Sequence, residues 1–447
     1  MNWLVDLIGT MGDREALVDS SGEYSYADLS EQCSKYRAEF ESQIKQGDVV
    51  AILSDYNFYS ISLFLALLDI NAIIVPIVSE INEEIKDRID ISKCDFVTKL
   101  DKNGKLDLTK MKCEEKRELV NELKANEDSG LILFSSGSTG KPKAMIHNLN
   151  KLVESYKGKK TKKLKMLVFL MFDHIGGLNT LLNSLAMGAR IILPMKRDAE
   201  EVAKLIQKYK VQILPASPTF LNLMLIGNVA GKYDLSSLKM ITYGTEPMTD
   251  GLLVRLRKVF GKVRFLQTFG TSETGIAQTV SRSSDSLEMK IDDPNLEYKI
   301  VNDELWLKSK TQVLGYLNAE NESFTDDGWF KTGDLVEDVG EGYLRIIGRN
   351  KEVINVGGEK VLPSEIESVL FELQEIDDVL VKGVPNAITG QSVVADVVWN
   401  ADDDKKEVRK RIRAHCKALL SSYKVPTKIN IVDSVSFSNR FKKKRIL

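Results

Sequence analysis

A loop rich in glycine and hydroxyl residues lies in the first third of the chain. It reads Ser135-Ser-Gly-Ser-Thr-Gly-Lys-Pro-Lys143. Such a loop can turn backbone N–H groups, hydroxyls and lysines towards a polyphosphate, because its glycines allow close approach. It is not an ordinary P-loop, because Ser135 replaces the first glycine of that template and Pro142 follows Lys141. The composition predicts a phosphate cradle, with a plain flexible turn as the alternative.

A hydroxyl and a carboxylate stand side by side in Phe269-Gly-Thr-Ser-Glu-Thr-Gly275. Ser272 could donate a hydrogen bond to a phosphate, and Glu273 could hold a hard cation through oxygen. A nucleophile elbow, G-x-S-x-G, would need glycine where the chain has Thr274, so a hydrolase is disfavoured. The segment predicts either a site for a phosphate and its metal ion or a polar loop at a strand end.

Two further segments carry an acid in a turn-rich setting. Tyr243-Gly-Thr-Glu-Pro-Met248 alone indicates only a turn. Asp326-Asp-Gly-Trp-Phe-Lys-Thr-Gly-Asp-Leu335 contains Asp334 directly after a glycine.

The motifs resemble those of the adenylate-forming (AMP-binding) acyl-CoA synthetase family, over nearly the whole chain. The first loop is similar to [ST]-S-G-[ST]-T-G-x-P-K-G, with Ala144 at the last position. Later segments are similar to aromatic-G-x-T-E, with Ser272 for threonine, and to G-W-x-x-T-G-D-L. Residues 348–367 resemble G-R-x-[DK]-[DE]-x-I-x-x-x-G-x-x-[VI]-x-P-x-E-I-E, which is the most specific match.

The resemblance implies a role for each matching residue. ATP would be bound by Ser135, Ser136, Gly137, Ser138, Thr139, Gly140, Lys143, Gly244, Thr245, Glu246, Pro247, Phe269, Gly270, Thr271, Asp334 and Arg349. The thiol of coenzyme A, or of a carrier protein's phosphopantetheine, would pass a loop formed by Gly357 and Gly358. Catalysis would depend on Ser272, Glu273 and Lys442, with Glu273 also holding Mg²⁺ and Lys351 acting as a hinge.

The basic C-terminal segment carries the implied catalytic lysine. Ser438-Asn-Arg-Phe-Lys-Lys-Lys-Arg445 resembles the family's closing [T]-x-x-G-K-x-x-R, which makes Lys442 catalytic and Arg445 the final arginine. Phe441 stands where the family has glycine. The role could instead belong to either of the next two lysines, Lys443 or Lys444, and a basic run is also typical of a solvated tail.

The resemblance also locates a pocket for the acid substrate. Its residues would be Asp173, His174, Gly177, Ser217 and Tyr243, and the segment from His174 to Asn179 looks most like that of aryl-acid and o-succinylbenzoate CoA ligases. His174 could close the pocket or be a hydrogen-bonded core residue, and Asp173 could contact a substrate amine. Aromatic, short acyl and amino acids all remain candidates for the small carboxylic acid substrate.

Three functions follow from the motifs. The first is an AMP-forming ligase that converts a carboxylic acid into an acyl-adenylate and then into a coenzyme A thioester. The second is a stand-alone adenylating enzyme that loads a carrier protein in trans. The third is a nucleotide-binding pseudoenzyme, which the departure at Phe441 and the run of lysines would explain.

The overall composition excludes several other classes. Lys plus Arg total 62 against 64 Asp plus Glu, so the chain has no overall field that would attract nucleic acid or a membrane. The four cysteines are widely spaced, which argues against a zinc site and fits a reducing cytoplasm. The first residues lack the parts of a secretory signal, and residues 61–78 contain Asp69 and Pro76, so no membrane span is expected.

Short apolar runs alternate with helix-period segments in the first part of the chain. Predicted strands lie at residues 48–53, 72–76, 165–170, 190–194 and 211–215, and predicted helices at 199–210 and 250–260. The alternation predicts an α/β fold of layered, largely parallel sheets. Residues 297–301 and 304–308 predict antiparallel strands, which the resemblance assigns to a distorted barrel closing the large domain.

The length of 447 residues exceeds what one core usually holds, so two or more domains are expected. We place an N-terminal adenylate-forming domain at residues 1–349 and a small, mobile α+β lid domain at 350–447. Within the lid, Glu365 and Glu367 are interpreted as acids in the first turn of a helix that starts after Pro363.

Overall fold

A computed structural model of the chain describes residues 2–112, 117–135, 142–438 and 441–445. Within that part the helices are α1 (Trp3–Gly9), α2 (Tyr26–Phe40), α3 (Phe58–Asp69), α4 (Asn82–Ser92), α5 (Glu118–Ala125), α6 (Leu149–Glu154), α7 (Ile175–Ala186), α8 (Ala199–Tyr209), α9 (Pro218–Ile226), α10 (Val229–Lys232), α11 (Asp250–Val259), α12 (Pro363–Leu370) and α13 (Lys405–Leu419). The strands are β1 (Glu15–Val18), β2 (Glu23–Ser25), β3 (Val49–Leu53), β4 (Ile73–Ile77), β5 (Phe96–Leu100), β6 (Leu106–Lys110), β7 (Gly130–Ser135), β8 (Lys143–Asn148), β9 (Lys165–Leu167), β10 (Arg190–Ile192), β11 (Ile213–Ala216), β12 (Met240–Tyr243), β13 (Arg264–Gln267), β14 (Phe269–Thr271), β15 (Gly275–Ala277), β16 (Thr279–Ser281), β17 (Glu288–Ile291), β18 (Leu296–Val301), β19 (Glu304–Ser309), β20 (Gly315–Tyr316), β21 (Phe330–Gly340), β22 (Tyr343–Arg349), β23 (Ile354–Val356), β24 (Glu359–Val361), β25 (Ile376–Asn386), β26 (Gly390–Trp399) and β27 (Lys428–Ile431).

The first sheet of the large domain has the order β20-β8-β7-β4-β3-β5-β6. Its centre is parallel, since β4 pairs in parallel with both β3 and β7, and β3 with β5. The central strands are rich in valine and isoleucine and almost wholly buried, as is typical of parallel strands with both faces covered. This confirms the strands predicted at residues 48–53 and 72–76.

The second sheet has the order β13-β12-β11-β9-β10-β1-β2 and is parallel except for β2. Helix α8 packs Val202, Ala203 and Ile206 into the core that this sheet shares, with Asp198 capping its first turn. The last residues of β11, β12 and β13 lie in register, so the segments that follow them emerge at one edge. In open α/β sheets that carboxyl edge is where ligands bind.

The third sheet is antiparallel, with the order β16-β17-β22-β21-β19-β18. The strands predicted at residues 297–301 and 304–308 are β18 and β19, which pair directly. Alternate residues such as Met289, Leu305 and Leu307 form the core of this sheet. A separate hairpin of β14 and β15 lies next to it along the chain.

The C-terminal unit has a sheet and a core of its own. Strands β24, β23, β26 and β25 pair in that order, and β27 adds to β26 in parallel. The core includes Ile366, Val379, Val397 and Ile412 from the sheet and from α12 and α13. This core is separate from the cores of the large sheets, and the boundary between residues 349 and 350 stays a prediction.

No helix in the described residues combines the length and the apolar character that a membrane crossing needs. The apolar run at residues 61–78 forms the end of α3 and then β4. Both elements are buried in the large domain, as predicted for this run.

Candidate active site

A cavity of ≈ 530 Å³ lies at the carboxyl edge of the second sheet, between the antiparallel sheet and the C-terminal unit. Predicted site residues from six separate parts of the chain meet on its walls. They are Ser135, Lys143, His174, Gly244, Thr245, Phe269, Gly270, Thr271, Ser272, Glu273, Arg349, Lys351 and Lys442.

The predicted phosphate loop joins two antiparallel strands. Ser135 ends β7 and Lys143 begins β8, and the two residues pair across the hairpin. Asn318 fixes the base of β8, because its Oδ1 accepts a hydrogen bond from the Ala144 N–H at 2.8 Å. The predictions for the loop itself fall outside the described residues, at Ser136, Gly137, Ser138, Thr139 and Gly140.

Ser272 and Glu273 occupy the turn between β14 and β15. The turn is fixed locally, because the Thr271 hydroxyl oxygen accepts a hydrogen bond from the Thr274 N–H at 3.1 Å. Gly275 follows with φ +81°, a left-handed conformation that favours glycine. The hairpin therefore presents a hydroxyl and a carboxylate to the cavity.

Tyr316 connects this acid with the phosphate hairpin. Its hydroxyl donates to Glu273 Oε1 at 2.8 Å, and Lys143 Nζ lies 5.5 Å from the centre of its ring. Burial and the neighbouring Glu273 charge raise the pKa of the Tyr316 phenol, so the hydroxyl remains a donor. No motif in the sequence marks Tyr316, and its role is visible only once β20 pairs with β8.

Gly244 and Thr245 follow β12 and line the cavity. A Cβ atom at Gly244 would lie 2.6 Å from the carbonyl oxygen of Thr268, so the position excludes any side chain. Thr245 has φ +73°, which is strained for a β-branched residue. Strained backbone of this kind is concentrated at binding sites, where the surroundings enforce it.

Glu246 and Pro247 belong to the same segment but do not line the cavity among the described residues. Glu246 binds protein groups instead: its Oε1 accepts from the Thr219 N–H at 2.7 Å, and its Oε2 from the Lys443 N–H at 3.1 Å. The acid thus joins α9 of the large domain to the C-terminal segment. That contact accounts for the position of Glu246 without a nucleotide.

Asp334 and Arg349 face each other on β21 and β22. Arg349 Nε lies 2.8 Å from Asp334 Oδ1, and Arg349 lines the cavity while Asp334 is 3% exposed. Burial raises the pKa of the Asp334 carboxyl, and the Arg349 charge opposes that rise. The pair offers an acid and a cation at the same end of the site.

The linker to the C-terminal unit forms a 3₁₀ turn, Asn350–Glu352, which includes the predicted hinge Lys351. Glu304 holds this turn against the large domain. One oxygen of Glu304 accepts from the Gly333 N–H at 2.8 Å and the other from Asn350 Nδ2 at 3.2 Å. Glu304 is a second cavity residue that no sequence motif indicated.

The three adjacent lysines of the C-terminal segment have different surroundings. Lys442 lines the cavity, and its positive charge acts to lower the pKa of the Asp334 carboxyl. The Lys443 ammonium is buried, donating to the Val379 carbonyl at 2.5 Å and lying 3.2 Å from Asp378. Lys444 is exposed. Position therefore favours Lys442 as the lysine that reaches a bound nucleotide.

Phe441, the residue in the family's glycine position, has φ +52°. Its ring packs against the large domain, with ring centroids 5.2 Å from Phe169 and 5.3 Å from Phe220. Both partners are fully buried in the core of the second sheet. The phenylalanine thus accepts a backbone conformation that suits glycine, and its ring fixes the segment beside Lys442 to the large domain.

Glu367 has contacts beyond the role of a first-turn acid that was predicted for it. It is 1% exposed, accepts from the Val381 N–H at 2.9 Å and pairs with Arg445 at 2.8 Å. Glu365 does follow the prediction, since it is partly exposed and pairs with Lys424. The helix periodicity could not separate the two acids, because Arg445 lies 78 positions away.

His174 is the predicted pocket residue that lines the cavity. It caps α7, and its Nδ1 accepts a hydrogen bond from the Gly176 N–H at 3.1 Å. Asp173 lies outside the cavity lining in the described residues and forms a buried ion pair with Arg88 at 3.0 Å. This ion pair is a structural role for Asp173 that differs from the substrate contact predicted from the sequence.

Three other predicted pocket residues also lie behind the cavity wall in the described part of the chain. A Cβ atom at Gly177 would lie 2.4 Å from the Met171 carbonyl oxygen, so this glycine permits close packing of α7. Ser217 caps α9 by accepting from the Phe220 N–H at 3.1 Å. Tyr243 is buried in the core of the second sheet. Their positions indicate that they support the wall.

Gly357 and Gly358 form the turn between β23 and β24, with φ +62° and +94°. Both conformations favour glycine. Neither residue lines the cavity in this arrangement of the described residues. A role beside the thiol would therefore need the C-terminal unit to move.

The comparisons with known proteins agree with this geometry. Residues 8–317 match the AMP-binding enzyme family, and residues 365–442 match the AMP-binding enzyme C-terminal domain. The first match alone covers well over half of the chain. The protein therefore belongs to the AMP-binding enzyme family.

Particular relatives extend over most of the chain. The 4-coumarate–CoA ligase-like 2 of Arabidopsis thaliana is 27% identical over 451 residues, covering 88% of this chain and 80% of the relative. A 2-succinylbenzoate–CoA ligase from Bacillus licheniformis is 28% identical, covering 69% and 67%. The crystal structure of the anthranilate CoA ligase AuaEII with anthranoyl-AMP superimposes with a TM-score of 0.84 at 18% identity, covering 98% and 95%. The structural likeness shows the shared fold.

Proposed function

We propose that the protein is an acid–thiol ligase, which activates a carboxylic acid with ATP and transfers the acyl group to coenzyme A. The observation that carries the proposal is the convergence of Lys143, Glu273 and Lys442 on one cavity. Asp334 and Arg349 stand as a pair at the same cavity. Relatives along most of the chain are CoA ligases, which supports the same chemistry.

In the first step, an oxygen of the substrate carboxylate attacks the α-phosphorus of ATP and pyrophosphate leaves. Two unit charges of like sign about 4 Å apart repel by roughly 4 kcal/mol at an effective dielectric of 20. Lys143, Lys442 and Arg349 supply positive charge around the cavity and offset this repulsion. No side chain needs to act as the nucleophile.

Glu273 fits a Mg²⁺ site of the kind found with nucleotides. Magnesium commonly takes one or two carboxylates together with phosphate oxygens and water. Glu273 presents one carboxylate to the cavity, and beyond the hydrogen bond from Tyr316 its oxygens can accept further partners. The ion would supply positive charge at the phosphates. Ser272, next to it, is placed to donate a hydrogen bond to a phosphate.

In the second step, the thiol attacks the acyl carbon and AMP leaves. We propose that the C-terminal unit turns about Lys351, withdrawing Lys442 and bringing in the loop of Gly357 and Gly358. The separate core of that unit and the short linker support this motion. Replacing Lys351 with proline should spare adenylate formation and abolish thioester release, whereas equal loss of both steps would contradict the hinge.

The deciding experiment is pyrophosphate exchange into ATP with a panel of carboxylic acids. Exchange with at least one acid is expected, and exchange with none would favour a pseudoenzyme. Adding either coenzyme A or a phosphopantetheinylated carrier protein then identifies the thiol. If a thioester forms only on the carrier protein, the function is that of the stand-alone loading enzyme and not of the coenzyme A ligase. Cys33 and Cys416 are free and buried, which supports a cytoplasmic setting.

A further inference from the structure

A second cavity, also of ≈ 530 Å³, adjoins the nucleotide cavity. The two share a wall built from α7 and from the ends of the parallel strands. The residues lining both are Asn179, Thr180, Pro215, Thr242, Thr268 and Ile276. A group bound in one cavity therefore lies directly beside the other.

The walls of the second cavity are mainly apolar where they face the sheet. They include Leu164, Met166, Met187, Ile213 and Met240. Methionine side chains are unbranched and adapt to ligands of irregular shape. The middle of the cavity therefore suits a hydrocarbon or aromatic group.

Charged residues also line this cavity, namely Lys159, Lys160, Lys162 and Asp293. Lys160 and Lys162 are exposed. Lys159 is half-buried, and its ammonium donates to Asn183 Oδ1 at 2.6 Å while lying 5.1 Å from the Tyr156 ring centre. In the described part of the chain it has no carboxylate within 4.0 Å, although Asp293 acts on it from further away. Burial lowers the pKa of Lys159. A partly desolvated ammonium whose direct partners are an amide oxygen and an aromatic ring is a favourable partner for an anion.

The helix α7 sets the distance between this cation and the reaction centre. His174 caps α7 at the nucleotide cavity, and Asn183 lies nine residues further along. At 1.5 Å per residue, the two positions are separated by about 13 Å along the helix axis. A ligand between them would have its two ends on the order of 10 Å apart.

We infer that the second cavity binds the acyl part of the substrate, and that Lys159 with Asn183 binds a second anionic group at the far end of that substrate. The preferred acid is thus a dicarboxylate-like molecule with an apolar body between its two charged ends. The inference rests on the proposed function, because it assumes that the reacting carboxylate sits in the nucleotide cavity.

The test is pyrophosphate exchange with unbranched dicarboxylic acids of graded length, each paired with the monocarboxylic acid of the same length. We expect the dicarboxylic acid of matching length to be preferred in kcat/KM by roughly 10- to 100-fold, as for a charge-assisted hydrogen bond. Lys159→Met should remove that preference through KM and leave the monocarboxylic acids unchanged. Lys159→Arg should retain most of it.

Lys157→Met is the matched control, because Lys157 is exposed and pairs with Glu154 outside this cavity. If no acid supports exchange, the proposed function fails. If exchange occurs but kcat/KM is the same for dicarboxylic and monocarboxylic acids, the proposed function stands and this inference is overturned. The same conclusion follows if Lys159→Met leaves the kcat/KM of both kinds of acid unchanged. An effect of Lys159→Met confined to the KM for coenzyme A would assign the lysine to the thiol substrate and would also overturn it.

Discussion

The two sides of the active site are held in different ways. On the large domain, Ser272 and Glu273 sit in a hairpin turn whose backbone is held by hydrogen bonds, from the Thr274 N–H to the Thr271 hydroxyl and from the Val313 N–H to the Glu273 carbonyl. On the other side, Lys442 depends on side chains of its neighbours, since Phe441 enters the large-domain core and Lys443 enters a buried acid cluster. Backbone geometry fixes the first side, whereas long-range packing fixes the second. Substitutions remote from Lys442 should therefore separate the two half-reactions.

The largest effect is expected from Lys442→Ala. Removing a group that stabilises transition-state charge commonly costs about 10²- to 10³-fold in kcat. Pyrophosphate exchange should fall by that factor, while a supplied acyl-adenylate is still converted to thioester. Lys444→Ala is the control, because Lys444 is exposed and lies only two positions after Lys442 in the chain. Unimpaired exchange in Lys442→Ala would move the role to another lysine.

Glu367→Gln should come next, as a loss of stability. Glu367 is the buried partner of Arg445 and Lys443, and removing one member of a buried charge group costs about 3–5 kcal/mol. Denaturant unfolding should show a lower midpoint. Glu365→Gln, on the same helix but partly exposed, should cost less than about 1 kcal/mol. Equal effects of the two variants would show that the C-terminal segment is not held by Glu367.

The free energy of unfolding should decrease in acid because of His147, which lies on the large-domain side of the active site. This buried residue of β8 lies beside the backbone of Ser272, and burial lowers its pKa from 6.5 to about 4. Between those values the unfolded chain binds a proton that the folded one does not, so stability falls as the pH is lowered. The loss should approach about 3 kcal/mol near pH 4. His147→Gln should flatten the pH dependence of unfolding, and an unchanged slope would contradict this origin.

Phe441→Gly should weaken adenylation by about tenfold, because aromatic contacts contribute roughly 0.5–1.5 kcal/mol each and two are lost. Glycine accepts φ +52° without strain, so the variant removes only the ring. Conversion of a supplied acyl-adenylate should be unchanged or faster. The adenylation rate of Phe441→Leu should lie between those of the unchanged protein and of Phe441→Gly. A parallel decrease in both half-reactions would argue against a positioning role for Phe441.

The smallest effect is expected from Tyr316→Phe. The change removes the hydrogen bond to Glu273 and keeps the ring beside Lys143. The Mg²⁺ concentration needed for half-maximal exchange should shift by about threefold, as the loss of a hydrogen bond with a net contribution near the lower end of about 0.5–1.5 kcal/mol implies. An unchanged Mg²⁺ dependence would show that Tyr316 does not orient Glu273.

The fold was predictable where local pattern decides it. The strands at residues 48–53 and 72–76 are runs of valine and isoleucine, and α8 shows helical spacing of apolar residues. Short loops then leave few ways to arrange parallel strands. The cavity residues Gly244 and Glu273 were indicated by their resemblance to family motifs, because the local pattern alone marked only turns and a polar loop.

The residues that sequence reasoning missed act through distant partners. Tyr316 reaches Glu273 only after β20 pairs with β8, and Glu367 meets Arg445 across the C-terminal unit. The predicted pocket residues Gly177 and Tyr243 pack into the protein beside the cavity and do not line it in the described part of the chain. A sequence motif indicates which segment approaches a ligand, whereas side-chain direction depends on packing.

The place of Phe441 in the large-domain core has a thermal consequence. Any movement that withdraws Lys442 must also take this ring away from Phe169 and Phe220, and newly hydrated apolar surface raises the heat capacity. The free-energy difference between the two arrangements should therefore curve with temperature. Cooling and warming would each change the fraction of the enzyme in the arrangement that makes the adenylate and the fraction in the arrangement that consumes it.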